Sequence, residues 1–142
     1  MEHHGRVAMY RPLSDIETAK VLEGLRLAAH LLGPDLSANS EGLQELYDAL
    51  LDTPSRPASA VEALGFAFGE MLLEQDWLEW AMLLDDEYGD EISIAVADRQ
   101  LGCSPLSMIR NRLEDGEVWD LAGLRDTTVK RLRQLGQQAA PT

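Results

Sequence analysis

Cys103, His30 and the carboxylates between Arg56 and Arg99 are the side chains whose types could support catalysis or ligand binding. Nucleophilic catalysis needs a serine or cysteine with a histidine beside it. His3 and His4 sit at the N-terminus, where fraying is expected and metal binding would be weak. His30 falls among Ala28, Ala29, Leu31 and Leu32, the setting of a core-edge or surface histidine. Cys103 precedes a helix start, where a thiolate can be stabilised, but a lone cysteine in an apolar setting reads as structural. A single cysteine also leaves no internal disulfide and no thiolate metal cluster. The sequence has no glycine-rich phosphate loop, zinc spacing or dinucleotide fingerprint. Acid pairs would suit a carboxylate hydrolase, or a cleft for a small cationic substrate lined by Glu70, Glu74 or Glu79. A chain of 142 residues has little material to line such a cleft. The expectation is a non-enzyme without cofactor or metal.

Charge is the stronger signal. The chain carries 25 acids and 12 bases, a formal net charge of −13. That field repels nucleic acid and anionic membranes and attracts basic surfaces, at a rate that falls with salt. Residues 57–98 contain no lysine or arginine but hold Glu62, Glu70, Glu74, Asp76, Glu79, Asp85, Asp86, Glu87, Asp90, Glu91 and Asp98. Seven of the twelve bases lie from Arg99 onward. Asp86-Glu87-Tyr88-Gly89-Asp90 does not supply the ligand spacing of a calcium loop. The same stretch suits docking: Asp85, Asp86, Glu87, Asp90 and Glu91 supply charge, Tyr88 an aromatic anchor, with Trp77 and Trp80 close in sequence. Each acid taken singly also fits a solvated turn that discourages edge pairing.

The elements that position these residues follow from hydrophobic period. Residues 1–13 read as an irregular lead-in. Ser14 and Glu17 form a capping-box signature ahead of Ile16, Ala19, Leu22, Leu25, Ala29 and Leu32 at helical spacing, and Gly33-Pro34 stops that helix. Leu43, Leu46, Tyr47, Leu50 and Leu51 mark a second amphipathic helix, expected to pack on the first. Ser59 and Glu62 repeat the capping signature for a helix to about Glu74, with Val61, Leu64, Phe68 and Leu72 inward. Its Gly65 and Gly69 share one face, where another backbone can approach. Residues 78–86 and 91–97 alternate with period two around a turn and predict an antiparallel hairpin. Trp80, Met82 and Leu84 share one face of its first strand, and Ile92, Ile94 and Val96 one face of its second. Residues 100–103 offer a short third strand. Ser104-Pro105 opens a helix carrying Leu106, Ile109 and Leu113 inward. Asp120 caps the last helix, along Leu121, Leu124, Thr128, Leu132 and Leu135, and the tail from Gly136 frays.

The expected fold is thus α+β, an antiparallel hairpin flanked by about five helices. It forms a single domain over 1–142, with an N-terminal helical pair at 14–52 and an α+β core at 58–135. No apolar leader or membrane-length segment stands out, so a cytoplasmic location is the default.

Five segments follow one another in a set order. Gly65-Phe66-Ala67-Phe68-Gly69-Glu70 precedes Leu78-Glu79-Trp80, then Asp86-Glu87-Tyr88-Gly89, Pro105-Leu106-Ser107-Met108-Ile109-Arg110 and Arg112-Leu113-Glu114-Asp115-Gly116-Glu117. Together they resemble the bacterial family catalogued as domain of unknown function 3806, over residues 65–117. The resemblance implies a helix-flanked hairpin. It implies no activity or site, so no functional residue carries over. The helices at 14–52 lie outside the resembling core.

The functional expectation is an acidic protein-binding module. Its leading form is a bacterial immunity or antitoxin protein that occludes a cognate toxin acting on nucleic acid or nucleotides, whose basic cleft a small anionic domain can fill. The alternative is an adaptor, chaperone or regulatory subunit of a secretion or housekeeping complex, using Met- and Leu-rich faces. Direct nucleic-acid and membrane binding are not expected, and no oligomeric state follows.

Overall fold

The computed structural model describes residues 9–32, 40–87 and 89–138. In chain order these form β1 (Met9–Arg11), α1 (Asp15–Leu32), α2 (Ser40–Leu51), α3 (Ala58–Leu72), β2 (Leu78–Leu84), β3 (Glu91–Val96), β4 (Gly102–Cys103), α4 (Pro105–Glu114) and α5 (Leu121–Gln138). The fold is α+β: four antiparallel strands in the order β1-β2-β3-β4, with the described helices around them. His3, His4, the Gly33-Pro34 stop and Tyr88 lie outside the described residues.

The hairpin forms as its alternation predicts, with Trp80 opposite Ile94 and Met82 opposite Ile92. The strand expected at 100–103 is β4, which pairs Cys103 with Ile94 and Gly102 with Ala95. The expected lead-in is corrected at its end, where Met9, Tyr10 and Arg11 pair with Leu84, Leu83 and Met82. Both faces of the sheet are buried: Ile92 and Ile94 on one, Ala81, Ser93 and Ala95 on the other. The Tyr10 N–H donates to Gln100 Oε1 at 2.7 Å, just before β4. Strands spaced about 4.8 Å apart would put the two edges of a flat sheet well beyond a glutamine's reach. The sheet therefore curls, and the small residues of its second face permit it.

Helix α3 is the centre of the molecule. Leu64, Phe66, Phe68 and Leu72 are fully buried, and α1, α2, α4 and α5 all pack against it. Gly65 lies where α4 crosses: a Cβ there would sit 2.9 Å from Leu106 Cα. Gly69 lies under the Trp80 ring. The backbone approach expected at this pair is made at Gly65 alone; at Gly69 the close neighbour is a side chain.

Helix α1 packs chiefly on α3 rather than on α2, and by a different face from the one its apolar residues suggest. Val21, Ala28 and Leu32 are buried and Leu25 is half-buried, while Ile16 is 84% and Leu22 49% exposed. Gly24 faces Phe66 of α3, so the docking line passes through a residue with no side chain to announce it.

The three serine signatures behave differently. At Ser14 the capping box is formed: Glu17 N–H donates to Ser14 Oγ at 3.2 Å, and Ser14 N–H to Glu17 Oε1 at 2.8 Å. Ser59 is already inside α3, because Pro57 with φ −62° and ψ 130° occupies the cap and makes no side-chain bond. Ser104 stands at the cap of α4, but its Oγ is buried without a hydrogen-bond partner. Ser14→Ala should therefore cost about 1 kcal/mol, as lost caps do. Ser104→Ala should stay within about 0.5 kcal/mol of the parent or stabilise it, since it removes an unsatisfied hydroxyl. Urea unfolding of both variants checks this; equal losses would contradict the two geometries.

The last helix is held by a residue from α2. Gln44 Oε1 accepts the Leu121 N–H at 2.7 Å and its Nε2 donates to Trp119 O at 2.8 Å. Asp120 contributes its main-chain carbonyl, to Leu124 N–H at 2.9 Å. The fully buried Tyr47 adds an O–H bond to Glu117 O at 2.6 Å. Helix α5 continues through Gly136 to Gln138, past the expected fraying point.

Candidate functional site: an acidic cleft

The hairpin turn is built by its own aspartates. Asp85 accepts the Glu87 N–H at 2.9 Å on its carboxylate, the short-range bond aspartate makes in turns. Asp90 Oδ1 accepts the Asp85 N–H at 3.1 Å, and Gly89 N–H donates to Asp85 O at 3.0 Å. Gly89 takes φ +87°, which its lack of a side chain allows. Asp85 is consequently buried and shapes the turn, while Asp86, Glu87 and Asp90 are exposed.

The turn forms one wall of a cleft of about 790 Å³. Asp85, Asp90 and Glu91 line it from the hairpin, Glu17 and Lys20 from α1, Glu62 from α3, and Ser107 and Arg110 from α4. Its floor is the apolar group Phe66, Met82, Ile92 and Leu106, which forms a core cluster with Val21. The walls are linked by hydrogen bonds. Arg110 Nη2 donates to Ser107 Oγ at 2.9 Å, and Ser107 Oγ donates to Glu91 Oε1 at 2.7 Å. On the opposite wall the Arg11 guanidinium grips Glu17 through two bonds of 2.8 and 2.7 Å. That grip, with the Ser14 N–H, holds the Glu17 carboxyl down at about 2. Lys20 approaches Glu62 only loosely, at 3.9 Å. Acids outnumber bases along the lining, and Asp86 and Glu87 extend the excess onto the turn.

Cys103 and Tyr10 also line the cleft. Burial pushes the Cys103 thiol up to about 12, and burial followed by the nearby Cys103 pushes the Tyr10 hydroxyl up to about 12. Both stay protonated at neutral pH. Raising the thiol from its ordinary value cuts the thiolate fraction by roughly a thousandfold at pH 8. Native protein should thus react with an aromatic disulfide reagent at least about a hundredfold more slowly than urea-unfolded protein. Comparable rates would show an accessible thiolate instead.

The other residues singled out from the sequence lie elsewhere. Trp80 Nε1–H donates to Glu70 Oε2 at 2.8 Å, and its ring meets Phe66 edge-on at 6.0 Å. Trp77 precedes β2, under the Arg133 guanidinium at 5.4 Å. At about 3.3 Å per strand residue Trp77 is roughly 25 Å and Trp80 roughly 16 Å from Asp85, so neither tryptophan flanks the turn. Glu74 faces Arg125 at 3.8 Å, and neither Glu70, Glu74 nor Glu79 lines the cleft. Among the described residues no group of His, Cys, Asp and Glu is set to hold a metal ion, and no helix is long and apolar enough to cross a membrane. Glu17, Lys20, Glu62 and Arg110 are the wall residues that sequence reasoning missed. From the sequence, Glu17 shows only as a capping partner and Glu62 as one that also belongs to the base-free segment, and of the two boxes only α1's forms.

Among solved structures, the chain resembles a crystal structure from Bacteroides thetaiotaomicron VPI-5482, with a TM-score of 0.72 and 16% identity over 92% of this chain. The likeness is one of fold, and this chain spans about half (50%) of that chain's length. Among curated proteins nothing matches. The family model described as "Domain of unknown function (DUF3806)" matches residues 40–124. The match takes in α2 and the first turn of α5, beyond the 65–117 span of the resembling segments and contrary to the expectation that both N-terminal helices lie outside it. The chain belongs to the DUF3806 family.

Proposed function

We propose that this chain is an acidic protein-binding module of the immunity or antitoxin type, acting in the cytoplasm by occluding a basic toxin that works on nucleic acid or nucleotides. The observation that carries the reading is the convergence of Glu17, Glu62, Asp85, Asp90 and Glu91 on one cleft, with Asp86 and Glu87 beside it. The arginines Arg125 and Arg133 of α5 instead accompany Glu74 and Trp77, away from the turn. A one-sided negative field speeds encounter with a basic surface and suppresses unlike partners. In such a complex a partner lysine or arginine enters the cleft, and the turn carboxylates guide it there.

The test is association kinetics with a protein captured by the wild-type chain, compared with the Asp86→Lys, Glu87→Lys double variant. The expected result is a basic partner whose association slows about tenfold or more with the variant and falls steeply with salt. An unchanged rate and unchanged protection against the partner's toxicity would remove the turn from the contact.

One observation favours a second reading, an adaptor, chaperone or regulatory subunit. The outward face of α1 presents Ile16 and Leu22 to solvent, and exposed apolar side chains of this kind suit salt-insensitive contacts. A complex that survives high salt and breaks with Leu22→Glu supports it over the first.

A further inference from the structure

Beside the acidic cleft lies a second depression of different chemistry. Helices α3 and α4 touch at Gly65 and Leu106. Between the first turns of α3 and the body of α4 they leave a notch of about 330 Å³. Ala58, Val61, Leu106 and Leu113 supply its apolar lining, and Arg56 and Glu114 line it beside them. Arg56 is fixed there by bonds to the last carbonyls of α2, Nε to Leu50 O at 2.6 Å and Nη2 to Leu51 O at 3.2 Å. Arg56 is therefore held in place by the fold, and the notch is large enough for one bulky apolar side chain.

Notch and cleft share three lining residues, Glu62, Leu106 and Arg110. They are two stations of one groove that runs along α4 from Leu113 to Ser107. Six helical residues at about 1.5 Å each separate these ends by roughly 9 Å. An extended peptide covers that distance in about three residues, and its side chains return to the same side every second position.

We propose that the basic partner docks through an extended segment laid along this groove. A large apolar side chain fills the α3–α4 notch, and a lysine or arginine two to four positions away enters the acidic cleft. This deepens the reading of the chain as a binder of basic partners and rests on it. The occupant is argued from complementarity: an apolar station suits an anchor side chain, and the adjoining station has an excess of carboxylates.

The probe is a phage-displayed library of random dodecapeptides, selected on the full chain and followed by affinity measurement of the enriched peptides. Three variants separate the stations. Ala58→Trp and Val61→Glu close or spoil the notch, both at positions that are not fully buried. Asp90→Asn with Glu91→Gln removes two cleft charges while keeping the side-chain shapes. The expected result is a consensus pairing an apolar with a basic residue at fixed short spacing. Both notch variants weaken it at least tenfold, and the cleft variant weakens it and flattens its salt dependence. A purely basic consensus indifferent to the notch variants overturns the groove while leaving the basic-partner reading standing. A purely apolar consensus indifferent to the cleft variant overturns both. No enrichment overturns the extended-segment mode.

Discussion

Gly102→Ala should lower the melting temperature by roughly 6–12 °C, which corresponds to about 3 kcal/mol for a chain of this size. A Cβ at Gly102 would run into the Ile94 carbonyl oxygen and lie 3.0 Å from Ala95 Cα. Both obstacles are main-chain atoms, and a rotamer change cannot clear them. Ile94 and Ala95 are also held from the far side by pairing with Trp80 and Glu79. Strand β4 cannot withdraw freely either, since Val96 N–H donates to Leu101 O at 2.8 Å on the approach to it. The strain must therefore unpair β4 and displace Cys103 and Ser104, which line the cleft. Gly136→Ala is the control. Its nearest contact would be Val96 Cγ1 at 3.9 Å, inside α5. Alanine there should be neutral or stabilise by up to about 1 kcal/mol through helix propensity. Thermal unfolding followed by circular dichroism compares the two. If Gly102→Ala melted with the parent, the pairing of β4 with β3 at Gly102 and Ala95 would be wrong.

What could be read in advance depended on how local the determining interaction is. Helix α2 was legible because Leu43, Tyr47 and Leu50 repeat at helical spacing and are the residues buried. The hairpin was legible because a turn and alternating strands are adjacent in sequence. The capping box at Ser14 was legible because its partners lie three residues apart. Strand β1 was not: three residues carry no measurable alternation, and its pairing partner is some seventy residues away. The buried face of α1 was misjudged for a different reason. Hydrophobic periodicity counts side chains, and α1 docks around Gly24, which contributes none. The cleft was half legible. Its hairpin acids stood out as a base-free segment, but Glu17 and Glu62 reach it only through the packing of α1 and α3 against the sheet. Charge could be located along the chain, and concavity could not.

The packing of α1 can be tested by a double-mutant cycle between Gly24 and Phe66. Phe66 is fully buried, with its ring against Gly24 on one side and edge-on to Trp80 on another. Phe66→Ala alone should cost about 3–5 kcal/mol, the usual loss for a buried aromatic. Gly24→Ala alone places two effects in opposition. Alanine favours an interior helical position by about 1 kcal/mol. Its Cβ, however, would run into Phe66 Cδ2, near the root of a ring that Trp80 prevents from swinging away. Overpacking of this kind costs about 1–3 kcal/mol, so the single change should destabilise on balance. In the Phe66→Ala background the obstacle is gone and a cavity stands in its place. Gly24→Ala should then stabilise, by propensity and by partial filling. The sign of one substitution reverses with the identity of a residue 42 positions away, a coupling of about 2 kcal/mol or more. Equilibrium urea unfolding of the four proteins measures it. If Gly24→Ala had the same effect in both backgrounds, α1 would not rest on Phe66. The wall that brings Glu17 and Lys20 to the cleft would then lose its anchor, and the cleft itself would have to be redrawn.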